Sequence, residues 1–100
     1  MHDERLAELA RALAHPARVR ILRLLAAEDE CMGGEIFGEL PLAQSTISQH
    51  LAVLKDAGFV NATPLGTRMV YCIATDPLAE FASALGDLLA LHPVCASKGV

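Results

Sequence analysis

The sequence predicts a small, mainly helical α+β domain in which about five helices surround a two-stranded β-hairpin. Three observations lead there. Apolar residues recur at helical spacing through residues 3–57, and the period shortens to that of strands over residues 59–74. A long apolar helix pattern then returns from Asp76 to Leu91. Pro16, Pro41, Gly58 and Pro93 fall where one pattern gives way to the next. One hundred residues give room for one domain, 1–100. Hydrophobic residues make up 53% of the chain, yet the aromatics are only three Phe and one Tyr. Such a core is built from Leu, Ala, Val and Ile. A short chain so rich in apolar residues is expected to bury some of them between subunits.

Taken in order, the first helix runs from Asp3 to Ala14, with Leu6, Leu9, Ala10 and Leu13 on one face. Asp3 and Glu4 occupy its first turn, where the helix dipole favours acids. His15-Pro16 interrupts it, and Pro16 suits the first position of a second helix because its missing N–H would have no partner there. That helix continues to Ala27 with Val19, Leu22 and Leu25 inward, and Arg18, Arg20 and Arg23 read as a solvated face. An acidic loop from Glu28 ends at Gly33-Gly34. A short helix over residues 35–40 buries Ile36, Phe37 and Leu40 before Pro41 stops it. A longer helix spans Ala43 to Ala57 on a stripe of Ile47, Leu51 and Leu54, and Gly58 takes the left-handed cap. Phe59–Asn61 and Arg68–Ala74 read as paired strands around a turn at Thr63–Thr67. The last helix carries Leu78, Phe81, Leu85, Leu88 and Leu89 on its apolar side. A short helix, a tight turn, a longer amphipathic helix and an immediate hairpin make the winged helix-turn-helix plan.

The net charge of −4 argues at first against a polyanionic partner, but its distribution is uneven. Five carboxylates and no Lys or Arg lie between Glu28 and Glu39. From Gln44 to Cys72, by contrast, His50, Lys55 and Arg68 face a single acid, Asp56. Such a weakly basic surface suits a dimer that pools two copies of it against phosphates. No apolar run approaches the length of about 18 residues that spans a membrane, and the N-terminus has no signal-peptide core, so a cytoplasmic protein is expected. In that compartment the odd set Cys31, Cys72 and Cys95 is expected as reduced thiols. An enzyme is not expected, because the chain has no phosphate loop, no His-Glu metal helix and no nucleophile with its base.

The informative segment is Leu42–Leu51. Between its apolar positions stand Gln44, Ser45, Thr46, Ser48, Gln49 and His50, where an ordinary solvated helix carries Glu and Lys. An uncharged face rich in donors and acceptors suits base edges in a major groove, with hydroxyls for the flanking phosphates. With Lys55 and Arg68, these residues are the expected DNA contacts.

The run His15–Leu25, the run Gln44–Val60 and the segment Gly66–Tyr71 resemble the second helix, recognition helix and wing of the ArsR/SmtB (arsenic-repressor) family. The likeness spans about residues 4–91. It implies a homodimer formed by helices 1–14 and 76–92, bound to double-stranded operator DNA through recognition helices in successive major grooves. It also implies a repressor that leaves its operator on a signal. The wing departs from the Arg-rich family pattern, offering chiefly Arg68 beside Pro64-Leu65.

Family members typically answer to a metal, a metalloid or an oxidant, so the implied ligand is a thiophilic metal or metalloid, a reactive sulfur species, an oxidant, or none. The family's closely spaced Cys pair is absent, since Cys31-Met32-Gly33-Gly34 keeps one thiol. Glu80, Asp87, His92 and Cys95 do not follow the spacing of its last-helix metal site. Cys31 and Cys95 are the candidate sensing thiols, one after the second helix and one after the last. Cys72, alternating with core-facing strand positions, reads as a small buried hydrophobe. Two alternatives stand beside this reading: a repressor with silent cysteines, and a winged-helix module that binds protein.

Overall fold

Local chemistry sets where the helices begin and end in the computed structural model, which describes residues 3–28 and 31–91. Helix α1 (Asp3–Ala12) stops two residues earlier than its apolar pattern suggests, because Leu13 and Ala14 close onto Ala10 and Arg11 in a tight turn. His15 is extended, and its Nδ1 accepts the Ala17 N–H at 3.0 Å, capping α2 (Pro16–Ala27). The expected short helix is one 3₁₀ segment, Gly34–Gly38. Helix α3 (Gln44–Ala57) ends at Gly58, whose φ of +93° and amide bonds to the Leu54 and Lys55 carbonyls make the expected left-handed cap. Strands β1 (Val60–Leu65) and β2 (Arg68–Ile73) form an antiparallel hairpin, and α4 (Thr75–Leu91) follows.

The hairpin is longer than its sequence pattern suggests. Leu65 pairs with Arg68, so the turn is only Gly66-Thr67, with Gly66 at a φ of +67°. Pro64 therefore lies within β1, tolerated because β1 is an edge strand that lacks a partner on its far side among the described residues. On the other side of β2, Met32 and Tyr71 exchange two backbone hydrogen bonds, of 2.9 and 2.7 Å. The segment after α2 thus adds a single rung of a third strand to the wing.

The core unites Leu9, Ile21, Leu25, Ile36, Ile47, Leu51, Leu54 and Phe59, drawn from the first three α-helices, the 3₁₀ segment and the entry to β1. Val19, expected inward, is exposed, because the inward row of α2 is Ala17, Ile21, Leu22 and Leu25. Helix α4 divides its apolar side. Leu78 and Phe81 pack against the core, whereas Leu85, Leu88, Leu89 and Leu91 stand 47, 54, 76 and 78% exposed. Arg5 of α1 bridges to Glu80 of α4 at 3.3 Å and to Glu8 at 3.0 Å, tying the two helices side by side. The architecture is a winged helix-turn-helix of four α-helices, one 3₁₀ segment and a two-stranded wing among the described residues.

Candidate nucleic-acid interface

Burial on α3 follows the period of the helix. Ile47, Leu51, Leu54 and Ala57 lie three or four residues apart and anchor it in the core. That anchoring turns Gln44, Ser45, Ser48 and Gln49 outward, all of them exposed. The first turn is capped by Ala43 through its backbone alone, so the leading amides carry the positive end of the helix dipole to the same surface. Lys55 shares the face of Gln44, but three turns away, about 16 Å along the axis. Arg68, exposed at the start of β2, is the only Lys or Arg in the hairpin segment 60–73.

Two of the expected contacts leave the outward row. Thr46 is half-buried at its edge. His50 is half-buried and turns toward α2, where its ring lies 4.4 Å from that of His15 and its Nδ1 accepts from Arg18 Nε at 3.2 Å. Burial, then the nearby His15 and Arg18, hold the His50 pKa below its ordinary value, so the neutral imidazole is favoured as acceptor. Arg18, read as part of a solvated face, is instead a half-buried side chain that positions α3, which sequence reasoning missed. Its Nη1 also donates to the carbonyls of Arg11 at 3.0 Å and Ala12 at 3.4 Å, so one guanidinium joins the end of α1 to α3. Arg20 and Arg23 do remain exposed, as a solvated face requires. The available signal was the spacing of Arg18 three residues after His15, one turn along the same face.

The cysteines do not behave as expected. Cys31 and Cys72 are joined by a disulfide, with their Cα atoms 4.6 Å apart, so neither is a free thiol and Cys72 is not a silent core residue. The reason is register. Met32 opposite Tyr71 places Cys31 directly opposite Cys72 in the next, non-hydrogen-bonded position, where facing Cα atoms lie about 4.5 Å apart. Cys95, the thiol proposed as partner to Cys31, and His92 lie outside the described residues. Among the described residues no three His, Cys, Asp or Glu side chains gather to hold a metal ion. No helix among them is long and apolar enough to cross a membrane.

A helix with a buried apolar stripe and an uncharged polar outer face, followed by a hairpin wing, defines a winged helix-turn-helix regulator. Residues 15–62 match the family model described as bacterial regulatory protein, arsR family. The HTH-type transcriptional regulator Rv0081 of Mycobacterium tuberculosis is 42% identical over 84 residues, 84% of this chain and 74% of that protein. The chain belongs to the ArsR family of transcriptional regulators. Its fold is shared with a crystal structure of an ArsR family regulator at a TM-score of 0.82, 22% identity and coverage of 91% of this chain and 93% of the other. The solution structure of the homodimeric winged helix-turn-helix DNA-binding domain Mb0332 from Mycobacterium bovis matches at a TM-score of 0.67 and 34% identity, covering 87% and 79% of the two chains. These relatives are transcriptional regulators rather than enzymes.

Proposed function

We propose that this chain is a homodimeric repressor that holds double-stranded operator DNA and releases it when an oxidant or thiophilic agent acts on its cysteine thiols. The observation that carries the reading is the outer face of α3, where Gln44, Ser45, Ser48 and Gln49 stand exposed without a charge among them. Side-chain amides pair with adenine edges and hydroxyls with phosphates, so this row reads bases while Arg68 and Lys55 hold the backbone. Thr46 and His50 support the row from its flank. The exposed leucines of α4 and the adjoining α1 supply the dimer surface, in keeping with the homodimeric relative. One wing cation per protomer is a thin phosphate grip, and pairing doubles it.

The test is binding of the reduced protein to a duplex from upstream of its own gene, titrated against salt and against an unrelated duplex. Gln44→Ala and Ser48→Ala should each weaken the first by about 5- to 100-fold and the second far less. Equal losses on both duplexes would remove the base-reading role. The net charge of −4 and the sparse wing favour a second reading, a protein-binding module. It predicts no salt-dependent DNA binding at all.

A further inference from the structure

The disulfide joins the loop after α2 to the wing, which carries Arg68. Cys31 stands at the exposed end of the loop after α2, and Cys72 is half-buried in the wing strand. The 41-residue separation between them takes in the 3₁₀ segment, α3 and most of the wing. Apart from the bond, a single backbone rung joins the loop to the wing among the described residues, Met32 to Tyr71, with the Met32 side chain buried in the core. One rung is a weak attachment, since strand pairing gains its strength from successive rungs and their side-chain pairs. Beside that junction an acidic side chain lies near the wing strand that carries Arg68. Glu35 accepts the Gly33 N–H at 2.5 Å, and a side chain at Gly33 would begin 3.8 Å from the Met69 carbonyl of β2. The Gly33 amide, the Glu35 amide and then the charge of Arg68 hold the Glu35 carboxyl below its usual range.

We propose that Cys31 and Cys72 are a peroxide-reactive dithiol whose oxidation pins the acidic Gly33–Glu35 turn beside the wing strand that carries Arg68 and lowers operator affinity. The inference rests on the repressor reading above and names its signal site. The exposed Cys31 thiolate attacks a hydroperoxide, breaking the O–O bond to give a sulfenic acid and, from hydrogen peroxide, hydroxide. The Cys72 thiolate then attacks the Cys31 sulfur, forming the S–S bond and expelling the sulfenic hydroxyl, which takes one proton from solvent and leaves as water. Two thiols lose two electrons, and one peroxide becomes two waters. A dithiol reductant reverses the step by thiol–disulfide exchange. In the reduced chain the acidic turn is no longer tied covalently to the wing, and Arg68 meets phosphate without that carboxylate held near it.

The experiment uses the full chain carrying Cys95→Ser, so that only this pair remains, with the duplex from upstream of its own gene as probe. Protein reduced with dithiothreitol is compared with protein treated with hydrogen peroxide, and the bond is mapped by mass spectrometry of non-reduced peptides. The expected result is a Cys31–Cys72 link in the oxidised sample with affinity at least about 10-fold weaker, restored by reductant. Cys31→Ser, at an exposed position, should bind like reduced protein and ignore peroxide, and Cys72→Ser should match it. Glu35→Gln should narrow the difference between the two states. Equal affinity in the two states, or tighter binding when oxidised, would overturn the switch while leaving the repressor intact. So would a peroxide response that persists in Cys31→Ser. Failure of the reduced protein to bind any duplex in a salt-dependent way would overturn the repressor reading, and the switch with it.

Discussion

Replacing Arg18 with Ala removes the side chain that fastens three helices together. Its guanidinium donates to the Arg11 and Ala12 carbonyls at 3.0 and 3.4 Å and to His50 Nδ1 at 3.2 Å. The two carbonyls belong to the last turn of α1, where acceptors lack an i+4 helical donor and a cation is favoured, and that of Arg11 also accepts the Ala14 N–H at 3.2 Å. A hydrogen bond from a charged donor contributes about 1.5–3 kcal/mol when buried, but Arg18 is only half-buried and one bond is long. Discounted for solvent, the two better bonds contribute about 1 kcal/mol each, or about 2 kcal/mol together. For a domain of this size each kcal/mol moves Tm by about 4–8 °C, so the variant should melt about 8–16 °C lower. Thermal unfolding followed by circular dichroism would show it, at one fixed protomer concentration because the melting of the homodimer proposed above depends on concentration. Arg20→Ala, at an exposed position on the same helix, is the control and should stay within about 0.5 kcal/mol of the parent. If the two variants melt within about 2 °C of each other, the fastening role of Arg18 is refuted.

Arg68→Ala should weaken operator and unrelated DNA alike and lower the slope of log affinity against log salt by about 1.8 for a dimer; an unchanged slope would take the wing off the phosphates. Leu89→Glu places a charge on a leucine that is 76% exposed in the single chain. Sedimentation should then show monomers, with operator affinity falling by roughly 100-fold or more as the second recognition helix is lost. Because His50 has a lowered pKa, the native state takes up fewer protons than the unfolded state once pH drops below about 6.5. Its contribution is therefore whole at neutral pH and is lost as pH falls from about 6.5 toward the lowered native value. Urea unfolding at a series of pH values should show this decline, and His50→Gln should flatten it.

Much of the geometry of the candidate interface was legible in the chain because it depends on periods that a single helix imposes. Once Ile47, Leu51 and Leu54 are inward, the outward position of Gln44, Ser45, Ser48 and Gln49 follows from the pitch of the helix. Gly58 could be placed as a cap because only a residue without Cβ adopts its backbone angles without strain. His50 was misjudged for a reason of the same kind. It sits on the margin between the faces of α3, and whether a marginal side chain turns in or out depends on what the neighbouring helix offers it. Here α2 offers a guanidinium and a second imidazole.

The sequence by itself determined the class of fold, the polar outer face of α3, the hairpin and the family resemblance, all carried by patterns within short windows. Only the tertiary structure decided which leucines of α4 belong to this chain's core and which stand free, because an apolar stripe does not say whose surface will cover it. It alone joined Arg18 to both α1 and α3. It also set Cys31 against Cys72 across 41 positions of sequence, since that meeting depends on the register of one backbone rung. Spacing between cysteines carries no record of such a register, which is fixed only when the loop after α2 comes to lie along β2.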